Sequence, residues 1–195
     1  MIVEAVIAVS AKGFGHERES AAARHAAALS PRRRFENLLD RHGPRLRRVA
    51  FGMLADPNRI DDVLQEAYLK AFRRLPSQFE NDRVESAWLY RIVYRCCLDE
   101  LRGRRRRPET PGPAEAVVWM SDEDAVQSMT VAAALAELPP DARAVVLLVD
   151  VIGLDYETAA SALRVPRGTV ASRLNGARAR LRAALLQGEE EGHDG

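Results

Sequence analysis

The residues whose type and spacing most clearly indicate a function are five arginines in the C-terminal third of the chain. They are Arg167, Arg173, Arg178, Arg180 and Arg182. Guanidinium groups pair with phosphate oxygens and with base edges, so a helix face that carries several of them can bind DNA. The residues predicted to contact DNA from this face are Arg167, Thr169, Ser172, Arg173, Asn175 and Arg178. An ordinary helical hairpin with a solvated basic face is the alternative interpretation.

A short helix, a tight turn and a second helix are predicted to position these side chains. Asp155 is placed to cap the first helix, and Pro166 marks the start of the second. The second helix has an apolar stripe at helical spacing, formed by Val170, Leu174, Ala177 and Leu181. This layout is typical of a DNA-reading helix-turn-helix. A left-handed backbone at Arg164 would cost about 1 kcal/mol or more, so we expect a different turn there.

A regular amphipathic helix in the N-terminal half carries a second candidate surface. Its apolar stripe consists of Val63, Leu64, Ala67, Tyr68, Ala71, Phe72 and Leu75. On the opposite side, Asp62, Gln65, Glu66 and Leu69 fall at i, i+3, i+4 and i+7. They form one surface, which could dock a basic partner helix.

A third candidate surface lies on a helix that follows a predicted loop over residues 76–85, with Ser86 as the predicted cap. The predicted buried face of this helix is Trp88, Leu89, Ile92, Val93, Cys96, Cys97 and Leu101. The opposite face presents Tyr90, Arg91, Tyr94, Arg95 and Arg102, and continues into the run from Arg104 to Arg107. Aromatic rings stack on unpaired bases and guanidinium groups pair with phosphates, so this face suits melted DNA. Packing of the tyrosines on neighbouring side chains is the alternative.

Three motifs resemble the extracytoplasmic-function (ECF) group of bacterial sigma factors, which are promoter-specificity subunits of RNA polymerase. They are Ile60–Ala67, then Ala87–Ile92 with Asp99 and Arg102, and finally residues 155–160 and 168–174 after Leu138-Pro139. The likeness extends over residues 35–187 in the right order and spacing. It implies an alternative sigma factor that binds core RNA polymerase and directs promoter recognition, promoter melting and transcription initiation, under the control of an anti-sigma factor.

The resemblance also implies roles for individual residues. Asp62, Gln65, Glu66 and Leu69 would bind the largest subunits of the polymerase. The minus-10 element would be contacted by Phe79, Asn81, Trp88, Tyr90, Arg91, Tyr94, Arg95, Arg102, Arg104 and Arg105. The minus-35 element would be read by the helix-turn-helix residues given above.

The predicted fold class is all-α, with two small helical domains joined by a flexible linker. We predict a disordered extension over residues 1–31, a polymerase-binding and minus-10 domain over 32–107, an acidic linker over 108–129, a helix-turn-helix domain over 130–187 and an acidic tail over 188–195. Gly43-Pro44 is expected to start a new helix or to kink one. A one-component helix-turn-helix regulator that acts without polymerase is the alternative function.

Composition excludes several other classes. The 195 residues carry a net charge of only +1, so local basic faces decide which anions the chain attracts. The two cysteines, Cys96 and Cys97, are adjacent and are predicted to be small buried hydrophobes. No motif for an enzyme, a metal, a cofactor or a small-molecule substrate is present, and no apolar run is long enough to insert into a membrane. We therefore expect a cytoplasmic, non-enzymatic protein.

Overall fold

The computed structural model describes residues 30–106 and 133–191, and all regular structure within these ranges is helical. The prediction of an all-α fold is confirmed. The predicted linker, residues 1–29 of the predicted extension and residues 192–195 of the predicted tail lie outside the described residues. Their predicted boundaries stay predictions.

Helix α1 spans Pro31–Leu54. It begins where the Ser30 hydroxyl accepts a hydrogen bond from the backbone N–H of Arg33 (3.3 Å) and where proline, which has no N–H to satisfy, takes the first helical position. Of the two alternatives predicted at Gly43-Pro44, the start of a new helix is wrong, because α1 continues through Pro44, and the kink stays a prediction.

Helix α2 (Pro57–Arg73) and helix α3 (Asp82–Arg106) complete a three-helix bundle with α1. The predicted start of α3 at Ser86 is wrong. Asn81 caps the helix instead, since its side-chain oxygen accepts from the N–H of Val84 at 3.0 Å. The bundle core includes Leu46, Met53, Ala67, Leu89 and Val93.

A buried polar contact links α1 to the first turn of α3. Glu85 accepts hydrogen bonds from Arg41 (3.1 Å) and lies 2.9 Å from the Nε2 atom of the buried His42. Burial alone would raise the pKa of Glu85, but the hydrogen bonds and positive charge of these neighbours outweigh it and the pKa is lowered. The ionised carboxylate therefore stabilises this end of the bundle.

The second module begins with a helical segment at residues 133–137, followed by helix α4 (Pro140–Val146). The chain then widens into a π-helical turn over Leu147–Val151, where the N–H of Ile152 bonds to the carbonyl of Leu147 at 2.9 Å. Helices α5 (Tyr156–Leu163) and α6 (Arg167–Glu191) form the predicted helix-turn-helix. Helix α6 continues past the predicted boundary at residue 187.

The two modules pack against each other. Helix α5 lies along α3, and α4 lies against the C-terminal part of α1. Buried side chains of both modules join into one apolar cluster that includes Leu54, Leu147 and Leu163. At Gly52 of α1 the two modules approach so closely that an added Cβ would clash with a methyl group of Leu147.

Candidate nucleic-acid interface

The predicted polymerase-binding surface on α2 is exposed as expected. Asp62, Gln65 and Glu66 all face solvent, and Leu69 is 51% exposed although it is a large apolar residue. Glu66 pairs with Lys70 one turn later (2.8 Å), and this hydrogen bond raises the pKa of Lys70. The structure brings these four predicted residues together on one helix face.

Phe72 extends this surface and was missed by the sequence analysis, which placed it in the buried stripe. Its ring is 47% exposed and packs edge-on against Phe35 of α1, with ring centroids 5.3 Å apart. The signal that could have identified it is its position three residues after Leu69, which puts both side chains on neighbouring parts of one face.

The loop before α3 positions the first predicted minus-10 residues. Phe79 and Trp88 are half-buried and pack against each other with ring centroids 5.3 Å apart. Asn81 is exposed but its side chain caps α3, so its amide oxygen already has a partner. Further along α3, Arg95 and Arg102 are exposed, and Arg102 lies 3.7 Å from Asp99.

Two tyrosines of the predicted DNA-facing side do not face solvent. Tyr90 is 1% exposed in the bundle core, and burial raises its pKa to about 12. Its predicted place on an exposed face is therefore wrong, because α1 covers that side of α3. Tyr94 is 9% exposed and donates a hydrogen bond to Asp141 of α4 (2.9 Å). Burial, then the carboxylate, raise its pKa.

At the end of α3, the side chain of Arg104 is described and is already paired within the bundle. Arg104 pairs with Asp56, the cap residue of α2, so it ties two helices of the bundle together in this arrangement. The side chain of Arg105 lies outside the described residues.

A cleft of about 480 Å³ lies beside the contact between α3 and the helix-turn-helix. Its lining includes four arginines and two aspartates, namely Arg91, Arg95, Arg102, Arg164, Asp99 and Asp141. Arg91 spans the cleft and donates to the backbone carbonyl of Ser161 at 2.7 Å. Burial, followed by the positive charges of Arg164 and Arg95, lowers the pKa of Arg91. Because the arginines outnumber the aspartates in this lining, the cleft keeps an excess of positive charge.

The helix-turn-helix forms with the predicted N-terminal cap. The Asp155 carboxylate accepts from the N–H of Thr158 (2.9 Å) and from its hydroxyl (3.0 Å). The backbone hydrogen bond is the main reason that the pKa of Asp155 is lowered. Thr169 and Val170 then donate their N–H groups to the carbonyl of Pro166, which opens α6.

The expectation of a different turn at Arg164 is wrong. Its backbone is left-handed, with φ 57° and ψ 47°. The N–H groups of Arg164 and Val165 both reach the carbonyl of Ala160, and Leu163 beside them is buried. These contacts offset the conformational cost of about 1 kcal/mol.

The predicted minus-35 residues on α6 fall into two groups, one open to solvent and one held in ion pairs. Arg167, Ser172 and Asn175 are exposed and Thr169 is half-buried. By contrast, Arg173 pairs with Asp141 at 3.1 Å, and Arg178 makes a bidentate contact with Asp150 at 2.5 and 3.0 Å. The hydrogen bond to Asp150 raises the pKa of Arg178. The predicted apolar stripe packs as expected, with Val170, Leu174 and Ala177 buried and Leu181 half-buried.

Residues 30–106 and 133–191 contain no group of three or more His, Cys, Asp or Glu side chains that could hold a metal ion. Both cysteines are buried and free, as predicted, and burial raises the pKa of Cys97 to about 12. None of the described helices is long and apolar enough to cross a membrane.

Two family models match the chain, one to each module. Residues 38–107 match the model of sigma-70 region 2, and residues 128–181 match that of sigma-70 region 4. An ECF RNA polymerase sigma factor of Mycobacterium tuberculosis, SigM, is 40% identical over 180 residues, which cover 90% of both chains. The chain belongs to the ECF sigma factors. It is also 30% identical over 174 residues to SigE of Mycolicibacterium smegmatis, with 80% of this chain and 63% of that protein covered.

Solved structures of other sigma factors resemble this ECF sigma factor in fold. CnrH, solved in complex with the cytosolic domain of CnrY, is 29% identical with a TM-score of 0.63, over 84% of this chain and 94% of that one. The sigma factor RpoE of Bartonella quintana, solved with the anti-sigma factor NepR, is 25% identical with a TM-score of 0.66, over 77% of this chain and 96% of that one. The resemblance found in the sequence motifs is thereby confirmed.

Proposed function

We propose that this ECF sigma factor binds core RNA polymerase through α2, contacts the minus-10 element through the loop before α3 and the exposed arginines of α3, and reads the minus-35 element with α6. Promoter recognition, melting and initiation follow from these contacts. The chain acts as a transcription initiation factor and not as an enzyme.

The main observation behind this proposal is that acidic and apolar residues share one surface on α2, whereas exposed arginines lie on α3 and α6. The exposed face of α2 combines acids with Leu69, which suits a basic protein surface with an apolar centre. The exposed parts of α3 and α6 carry arginines such as Arg95, Arg102 and Arg167, which suit phosphates. A one-component DNA-binding regulator would have use for the basic helices alone.

Charge reversal on α2 tests the polymerase contact. We expect Asp62→Arg with Glu66→Arg to abolish co-purification with core RNA polymerase and run-off transcription, while the helical circular dichroism spectrum stays unchanged. Asp61→Arg is the matched control, because Asp61 is a neighbouring exposed acid that pairs with Arg47 of α1. Undiminished polymerase association of the double variant would exclude α2 as the docking surface.

A second experiment separates the two classes of protein. A sigma factor should co-purify with core polymerase and give transcripts only in its company. Tight promoter binding by the chain alone, with no polymerase association, would instead support the one-component regulator.

Anti-sigma control and a cytoplasmic location complete the proposal. They are supported by the two similar structures, which hold CnrY and NepR, and by the lack of a membrane-spanning helix among the described residues. Affinity capture from the native host should recover an inhibitor with the polymerase-free fraction of this protein.

A further inference from the structure

The exposed side of α6 is built mainly from small residues. Four exposed positions follow one another along it at i, i+4, i+7 and i+11, opposite the buried stripe of the helix. We call these four residues the outer line, which consists of Gly168, Ser172, Asn175 and Ala179. Asn175 has the longest side chain of the four and therefore extends furthest from the helix along this line.

Four arginines of α6 lie on the two flanks of the outer line. Arg167 and Arg178 share one flank, because eleven residues make close to three full turns. Arg173 and Arg180 share the other flank, because seven residues make close to two turns. On each flank one arginine is anchored by a carboxylate of the same module, at 3.1 Å for Arg173 and at 2.5 and 3.0 Å for Arg178. Arg182 lies past the C-terminal end of the outer line, while a recognition helix contacts base edges with its N-terminal residues.

This arrangement matches a helix that enters the major groove of DNA. The groove is about 12 Å wide and admits an α-helix, whose centre then meets base edges while its flanks meet phosphates. Asparagine is short, so Asn175 reaches a base edge only if the helix backbone comes close to the DNA. The backbone around it is bare, since a Cβ added at Gly168 or Gly176 would meet no neighbouring atom within 4 Å. The outer line therefore allows the close approach that Asn175 needs.

The side-chain amide of Asn175 is available to a base. Within residues 30–106 and 133–191 no hydrogen bond engages it, whereas the Ser172 hydroxyl already donates to the carbonyl of Thr169 at 3.2 Å. An amide presents one donor and one acceptor side by side, which match N7 and the N6 amino group on the major-groove edge of adenine. Guanine presents two acceptors there and would leave the carbonyl oxygen of the amide without a donor.

On the basis of the proposed function, we propose that Asn175 is the specificity-determining residue of α6 and that it reads an adenine in the minus-35 element. Its N–H donates to N7 of that base, and its carbonyl oxygen accepts from the N6 amino group. The flanking arginines bind phosphates, so the affinity that they contribute is independent of base sequence. Substitution of Asn175 should change which promoters are chosen, and substitution of a flanking arginine should change how tightly all of them are bound.

Promoter selection by the assembled holoenzyme tests this assignment. Core RNA polymerase with the full chain is mixed with a pool of DNA duplexes randomised in both promoter elements, and the bound duplexes are sequenced. We expect the wild-type chain to select adenine at one minus-35 position, and Asn175→Ala to lose about tenfold of its preference at that position alone. The variant should fold, because position 175 is exposed and alanine is a better helix former than asparagine.

Arg180→Ala is the matched control, since Arg180 is exposed on a flank of the same helix. This variant should bind every selected duplex more weakly, with a shallower dependence of affinity on salt and with all base preferences kept.

A modified base locates the contact on the DNA. 7-Deazaadenine lacks the N7 acceptor, and we expect it to weaken binding by the wild-type holoenzyme when it replaces the selected adenine. The same replacement should have no effect on the Asn175→Ala holoenzyme. Equal losses for the two proteins would show that another residue reads N7 and would overturn the inference.

Unchanged base preferences of Asn175→Ala, or the loss of a preference for a base other than adenine, would also overturn the inference while leaving the proposed function intact. If the wild-type chain forms no holoenzyme, or its holoenzyme selects no minus-35 sequence at all, the proposed function fails and the role of Asn175 fails with it.

Discussion

Truncation of Leu69 on α2 would measure the apolar contribution to polymerase binding. The side chain is 51% exposed in the free protein, so about half of its surface remains for a partner to cover. Complete burial of a leucine contributes about 1.5–3 kcal/mol, and half of that is about 1 kcal/mol. We therefore expect Leu69→Ala to weaken the complex with core RNA polymerase about fivefold.

The same change should leave the fold intact, because substitutions at exposed positions alter the free energy of unfolding by about 0.5 kcal/mol or less. Val84→Ala is the control. Val84 is also a large apolar residue on the surface, 41% exposed, but it belongs to the first turn of α3 and not to α2. Titration of labelled core polymerase with each variant gives the dissociation constants. An unchanged constant for Leu69→Ala, or an equal loss for Val84→Ala, would refute the assignment of this surface.

Two further predictions concern stability. The folded-state pKa of Glu85 lies below its ordinary value of 4.5, so the folded protein binds fewer protons than the unfolded chain at acidic pH, and its stability should fall as the pH drops from about 5 through the folded pKa. In urea titrations, Glu85→Gln should lower the free energy of unfolding by about 1–3 kcal/mol at pH 7 and weaken its dependence on acidic pH. An unchanged pH dependence in this variant would argue against the contact with His42. In thermal unfolding, Asp155→Ala should lower the free energy of unfolding by about 1 kcal/mol, because it removes the cap of α5. Asp155→Asn can still accept the hydrogen bond from Thr158 and should lower it much less. Equal losses in the two variants would show that the charge of Asp155, and not capping, is responsible.

Local periodicity predicted most of the helices and much of their buried faces. The stripe of α6 at Val170, Leu174 and Ala177 is buried because helical spacing alone places these side chains on one side. Exposure of Leu69 was also predictable, since it shares one helix face with the polar residues Asp62, Gln65 and Glu66. The cap at Asp155 depends on residues three apart and is visible in the sequence.

Contacts between distant segments could not be predicted from periodicity. Tyr90 was assigned to the wrong face because the docking of α1 on α3 decides which flank of α3 is covered. Arg143 is only 6% exposed and donates a hydrogen bond to the carbonyl of Met53, ninety positions earlier in the chain, which no local pattern indicates. The left-handed turn at Arg164 was missed because the sequence shows the cost of that conformation for arginine, whereas the hydrogen bonds from Arg164 and Val165 to the Ala160 carbonyl become visible only in the structure.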